Sequence, residues 1–207
     1  MLKIERVSVM NFENAMRGAR NPMNSWAKSD SAYDANGNYI LGEADREFGK
    51  KLCRAGSDER KFIRQIFVCL DITAPLYWWK EFDTYKVGTV ANSTSTMHKI
   101  HAKAFERADF SHDKLDENGL KMLDSLIAYL EGERVKFCEN REDRQGWHNM
   151  IQLLPSSFNQ MRTVTLNYEN LVNIYYARRA HKLAEWHTFC DWIKTLPYAE
   201  DFILIKP

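Results

Sequence analysis

The sequence predicts an α+β or α/β fold with a small sheet and long helices. Three observations carry this expectation: helix-periodic segments outnumber strand-like ones, the strand-like runs are short, and no internal repeat runs along the 207 residues. A chain of this length forms one domain or at most two, and a single domain over residues 1–207 is expected. Hydrophobic residues at 44% and aromatic residues at 13% suit a buried core.

Residues 2–10 alternate through Leu2, Ile4, Val7 and Val9 and mark a strand whose phase slips at Glu5 and Arg6. Residues 12–18 read as a short helix ending near Gly18. The run from Asp34 to Gly37 has turn chemistry before Tyr39 and Ile40; its glycine comes too early for a calcium loop and no glutamate closes it. Ala44, Phe48 and Leu52 give residues 42–54 a helical face, and residues 66–72 form a buried strand bounded by Thr73, Ala74 and Pro75. Residues 76–85 are aromatic and amphipathic, so Trp78, Trp79 and Phe82 serve either the core or a wall for a planar ring. Residues 86–96 follow with five hydroxyls among 11 residues, a density no core requires. Leu115, Leu120, Leu123, Leu126, Ile127 and Leu130 predict a helix over 115–131 with Gly132 near its stop. A charged link over 133–148 leads to helices over 166–184 and 184–195, the last ended by Pro197.

With 29 basic and 28 acidic side chains the net charge is +1, which argues against a nucleic-acid or anionic-membrane partner. The first residues form a charged alternating strand rather than a signal sequence, and no apolar run reaches membrane length, so a cytoplasmic protein is expected. Cys53, Cys69, Cys138 and Cys190 form no C-x-x-C pair or zinc pattern and read as free thiols in a reducing compartment. His98 and His101 lack a carboxylate at matching spacing, so no metal is expected. Arg178, Arg179, His181, Lys182 and His187 form either a solvated helix edge or a cluster from which Arg179 or His181 reaches a ligand phosphate.

On a continuous helix over 166–184, Asn167, Asn173 and Arg178 fall at roughly 0°, 240° and 20°, at about 100° per residue. Asn167 and Arg178 then share a face beside Leu171, Ile174 and Tyr175. Such a face is a polar seam in the core or one wall of a site for a planar anion, which the guanidinium fork binds bidentately.

The run Leu154-Pro155, Asn167, Leu171, Asn173, Arg178 and Glu185-Trp186 resembles the C-terminal region of the flavin-dependent thymidylate synthases, without gaps from Pro155 to Arg178. The resemblance extends over about residues 2–196 and implies the thymidylate synthase-complementing-protein-like fold, a small mixed or antiparallel sheet with long helices. It implies FAD as hydride carrier, methylenetetrahydrofolate as carbon donor, NADPH as a further co-substrate and dUMP or a related pyrimidine nucleotide as substrate. It further implies a homotetramer with sites between subunits. No protein nucleophile is required. The implied flavin residues are Asn167, Asn173, Tyr85, Lys86 and Asn92; the implied nucleotide residues are Arg178, Lys80, Glu81, Ser93, Thr94 and Ser95.

The family signature, Arg-His-Arg-x-x-Ser-x-Asn-x-x-Ser-x-Arg, is largely replaced. Counted from Pro75, residues 84–89 cover its first six positions: Lys86 alone keeps a basic charge, and Thr89 and Thr94 replace the serines. A shift of one residue aligns Asn92 and Ser95 instead. The family's arginine before the Leu-Pro pair falls at Ile151, and its His-x-Ser/Thr-x-x-Glu-His element falls over residues 59–65. Each charge-assisted hydrogen bond that such a replacement removes forfeits roughly 1.5–3 kcal/mol. Two readings therefore stand, a pyrimidine methyltransferase with an altered site and a nucleotide-binding relative without flavin chemistry.

Overall fold

The structure is a computed structural model and describes residues 2–205. Its main elements are β1 (Lys3–Met10), α1 (Phe12–Arg20), β2 (Ala32–Tyr33), β3 (Tyr39–Ile40), α2 (Glu43–Ala55), β4 (Phe67–Pro75) and α3 (Leu76–Phe82). There follow β5 (Val90–Ser93), α4 (Glu117–Glu139), α5 (Gln145–Leu153), β6 (Asn159–Asn167), α6 (Tyr168–Arg178), α7 (Ala184–Ile193) and α8 (Ala199–Phe202). Four strands form a small antiparallel sheet of order β1-β4-β6-β5, and β2 pairs with β3 as a separate hairpin. The expected α+β class is what the chain adopts.

β4 alternates as a half-buried strand should, with Val68, Leu70, Ile72 and Ala74 buried on one face. β1 lies at the sheet edge, and its phase slip has a cause: Arg6 has φ 51, in the left-handed region, so the strand bends there. β6 escaped the sequence pattern. Its buried face begins with Gln160, whose amide donates to the Thr94 carbonyl at 2.7 Å and accepts from Arg162 Nε at 3.0 Å. Polar residues satisfied in this way erase the alternating apolar signal on which strand recognition rests.

Two compact units make up the chain. The first comprises Met1–Glu5, Asp71–Thr84 and Asn92–Thr163. Its core gathers Ile100, Phe105, Phe110, Leu123, Leu130, Phe137 and Met150. Leu123, Leu130 and Phe137 are spaced by seven, so they face the core along one side of α4. α4 is 23 residues long and runs through Gly132 to Glu139 rather than stopping at residue 131, and α4 and α5 together replace most of the expected charged link. α5 approaches α4 closely at Gly146, where a Cβ would stand 2.7 Å from the Glu133 carbonyl oxygen. Glu133 is buried between Lys136 Nζ and Asn149 Nδ2, each at 2.7 Å, and these partners hold its carboxyl below the usual range. Trp78, Trp79 and Phe82 are core residues: Trp78 stacks on Phe82 with ring centroids 5.1 Å apart, and Trp79 Nε1 donates to the Gln160 carbonyl at 2.9 Å. His98 and His101 lie in turns, not on a helix, and no cluster of three metal-ligating side chains exists among the described residues.

Gly132 lies exposed inside α4 with open space where a Cβ would project. Gly132→Ala is therefore expected to stabilise the chain by about 0.5–1 kcal/mol, read as a higher urea midpoint at unchanged slope.

The second unit comprises Arg6–Leu70, Tyr85–Ala91 and Val164–Pro207. Phe12, Ala15 and Met16 on α1 and Trp186, Phe189, Cys190 and Ile193 on α7 repeat at helical spacing and are buried. Tyr168 packs edge-on against Phe12 at 5.8 Å, and its hydroxyl donates to the Pro197 carbonyl at 2.7 Å. Burial pushes the Cys53 thiol up to about 12 and the Cys190 thiol up to about 11, so both stay protonated. Among the described residues no helix is long and apolar enough to cross a membrane.

Candidate functional site

The helix expected over 166–184 is shorter at both ends: α6 runs from Tyr168 to Arg178, and a turn leads from it to α7, the helix expected over 184–195. Asn167 ends β6 and caps α6, with φ −122 and ψ 171 outside the helical region. Its carboxamide oxygen accepts from Asn170 N at 3.0 Å, while Asn170 Oδ1 accepts from Asn167 N at 3.1 Å. This is a reciprocal capping box built from two asparagines. The shared helix face drawn for Asn167 and Arg178 is thereby corrected, because a cap residue does not follow the 100° progression. Asn173 sits on α6 and is exposed, roughly 140° around the axis from Arg178.

The capping box reaches beyond the helix. Asn170 Nδ2 donates to the Val87 carbonyl at 2.6 Å and so anchors the loop that carries Lys86 and Gly88. Gly88 has φ +75, and a Cβ there would stand 2.9 Å from Asn167 Nδ2 and 3.2 Å from Asn170 Oδ1. Thr89 closes the loop through its amide to the Lys86 carbonyl, and its hydroxyl is buried with no hydrogen-bond partner. A buried hydroxyl left unsatisfied costs roughly 1–3 kcal/mol. Gly88→Ala is expected to cost about 1–2 kcal/mol through the left-handed conformation alone, seen as a lower urea midpoint.

Arg178 occupies the C-terminal turn of α6. Its Nε donates to Tyr85 Oη at 2.8 Å, and its guanidinium carbon lies 4.8 Å from the Trp186 ring centroid and 5.5 Å from that of Tyr85. Trp186 is fully buried and Tyr85 meets it edge-on at 6.2 Å, so two rings flank the guanidinium. A cation so oriented meets a flat or tetrahedral anion without first losing rotamer freedom. Within the second unit Tyr85 and Trp186 meet Arg178 at the C-terminal end of α6, while Gly88 and Asn170 gather at Asn167 at its N-terminal end. Lys86 is exposed on the loop of Gly88.

The first unit carries the remaining candidates. Asn92 and Ser93 are exposed on β5; Lys80 is exposed on α3, where Glu81 is half-buried. Thr94 is fixed by its amide to the Met161 carbonyl at 2.9 Å, and Ser95 Oγ accepts from the amides of Met97 and His98 at 3.2 and 2.9 Å. Thr94, Ser95 and Thr96 line a pocket of about 450 Å³ with Lys99, Lys103 and the rings of Phe105 and Phe158. Lys103 is paired with Asp109 at 2.8 Å. Neither Lys80 nor Glu81 lines this pocket. The hydroxyl-rich stretch therefore splits between the units at residues 91 and 92.

Sequence reasoning missed Asn170, Gly88, Lys99 and Lys103. Asn170 was legible as the third residue after a capping asparagine. The lysines carried no signal, since isolated basic residues are ordinary on a surface.

The architecture defines a class first: a small antiparallel sheet among long helices. That is the fold of thymidylate synthase X. Two structures of that enzyme from Helicobacter pylori, both with FAD and dUMP, match with TM-scores of 0.69 and 0.67 at 14% and 16% identity. The first match covers 98% of this chain and 97% of the other, and the second 97% of each. The UMP/dUMP methylase PolB from Streptomyces cacaoi, bound with 5-Br dUMP, matches with a TM-score of 0.67 at 12% identity over 100% of this chain and 98% of the other. No protein-family model matches the chain, and no curated protein matches it significantly.

Proposed function

We propose that the chain binds a pyrimidine nucleotide such as dUMP through Arg178 and methylates its base, with FAD as hydride carrier and methylenetetrahydrofolate as carbon donor. The observation that carries the nucleotide part is the ring-clamped guanidinium of Arg178, held by Tyr85 and Trp186. A bidentate contact to phosphate suits such a fork. Ser95 and Lys99 form a further pair of anion donors in the first unit.

The flavin part rests on the likeness in fold. When bound, FAD would supply the hydride, and NADPH its reducing equivalents. The residues fit it in part. Asn173 and Lys86 are exposed and would hold it, whereas the Asn167 oxygen caps α6 and Gly88 packs on the amide nitrogen. That engagement of Asn167 favours the second reading, a nucleotide-binding relative that has lost flavin chemistry. A homotetramer goes with either reading.

An absorbance spectrum from about 300 to 550 nm, taken before and after addition of FAD and desalting, separates them. A retained flavin band is the result expected of the methyltransferase. A colourless protein that still binds dUMP is the second reading.

A further inference from the structure

The first unit holds another pocket, of about 240 Å³, that shares no lining residue with the one beside Thr94. His98, His101, Arg141 and Arg144 surround it together with the rings of Phe137 and Trp147. The concentration of cations is unusual for a chain of net charge +1. Among the described residues the side chains of Arg141 and Arg144 make no hydrogen bond or ion pair. The carboxylates next to them in sequence do not quench them: Asp143 accepts from the Gln145 amide instead. Arg134, the other nearby arginine, is neutralised by Glu131 at 2.6 Å.

The pocket is built rather than incidental. Trp147 Nε1 donates to the Met97 carbonyl at 3.0 Å, which ties α5 to the turn carrying His98 and His101. The His101 ring stands edge-on to Phe137 at 5.1 Å. Its Nδ1 is buried and makes no hydrogen bond within the chain. Arg144 is the N-cap of α5, so the positive end of that helix adds to the same field.

We propose that this pocket is a second anion site that takes a small phosphate ester with a planar ring, the phosphate on Arg141 and Arg144 and the ring against Trp147. Arginine forks pair bidentately with phosphate, and indole offers a face for stacking. The volume suits one ring and one phosphate rather than a dinucleotide. Desolvation and the charges of Arg141, Lys99 and Arg134 hold the His101 imidazole below its usual range, and a bound dianion opposes the charge part of that effect.

The test uses the whole chain with Arg178→Ala, which removes the proposed nucleotide anchor while leaving this pocket intact, and calorimetric titration with phenyl phosphate, inorganic phosphate and phenol. Phenyl phosphate is expected to bind more tightly than inorganic phosphate, with phenol giving no heat. Adding Arg141→Ala and Arg144→Ala is expected to weaken phenyl phosphate about 30-fold or more. Both arginines are exposed, so the variant folds. Should the Arg178→Ala chain fail to fold, the imidazole resonances of the wild-type chain give the reading, with the His101 pKa rising on saturation with phenyl phosphate. Equal binding by the double arginine variant, equal affinity for phenol, or a His101 resonance that ignores phenyl phosphate each overturns the proposal. None of these outcomes bears on dUMP binding at Arg178.

Discussion

Replacing Arg178 by alanine is expected to weaken dUMP binding about 100-fold or more while leaving the fold in place. Two charge-assisted hydrogen bonds at roughly 1.5–3 kcal/mol each underlie that figure. The structural cost is smaller, because Tyr85 is only half-buried and its hydroxyl turns to water once the 2.8 Å hydrogen bond from Arg178 Nε is gone. Arg178→Lys is expected to recover little of the affinity. An ammonium cannot present two parallel donors, and it lacks the planar group that the guanidinium sets 4.8 Å from the Trp186 ring centroid. Calorimetric titration measures both variants, and unchanged affinity in Arg178→Ala would take Arg178 out of the site.

The largest effect on stability is expected at Arg60 and Glu169. Arg60 donates through Nε and Nη2 to the two carboxylate oxygens of Glu169 at 3.0 and 2.8 Å, and both side chains are largely buried, 9% and 13% exposed. The hydrogen bond to Glu169 raises the Arg60 pKa further, so Arg60 stays charged. Glu169 lies in the first turn of α6, two residues after the Asn167 cap, where a negative charge is favoured. Arg60→Ala leaves an unpaired carboxylate in a dry setting and is expected to cost about 3 kcal/mol. For a chain of this size that lowers the melting temperature by roughly 6–12 °C. The double change Arg60→Leu with Glu169→Leu is expected to recover most of the loss, because no lone charge remains. A double variant no more stable than Arg60→Ala would show that the pair does more than neutralise itself.

The parts of the fold that the sequence exposed are those in which apolar residues alone face the core. β4 alternates over Val68, Leu70, Ile72 and Ala74, and α7 repeats Trp186, Phe189, Cys190 and Ile193; both were legible. β6 was not, because its inward face is carried partly by Gln160 and Arg162, whose partners Thr94 and Asp83 are distant in sequence. The same limit applies to the site. Arg178 and Asn167 could be singled out, but the bond from Asn170 to Val87 and the left-handed backbone at Gly88 join segments about 80 residues apart. The continuous helix drawn through residue 167 failed because an asparagine after a polar strand stops the strand and starts the helix at once. Gly132 misled in the opposite direction: packing of Leu130 and Phe137 on either side carries α4 through a residue that favours a stop.

Calorimetric titration of the wild-type chain with dUMP, beside deoxyuridine as its nucleoside lacking phosphate, measures binding through the Arg178 clamp directly. Saturable binding of dUMP with a dissociation constant on the order of micromolar, and none of deoxyuridine at the same concentrations, is the result expected. Absence of heat with dUMP, or equal binding of deoxyuridine, would contradict it.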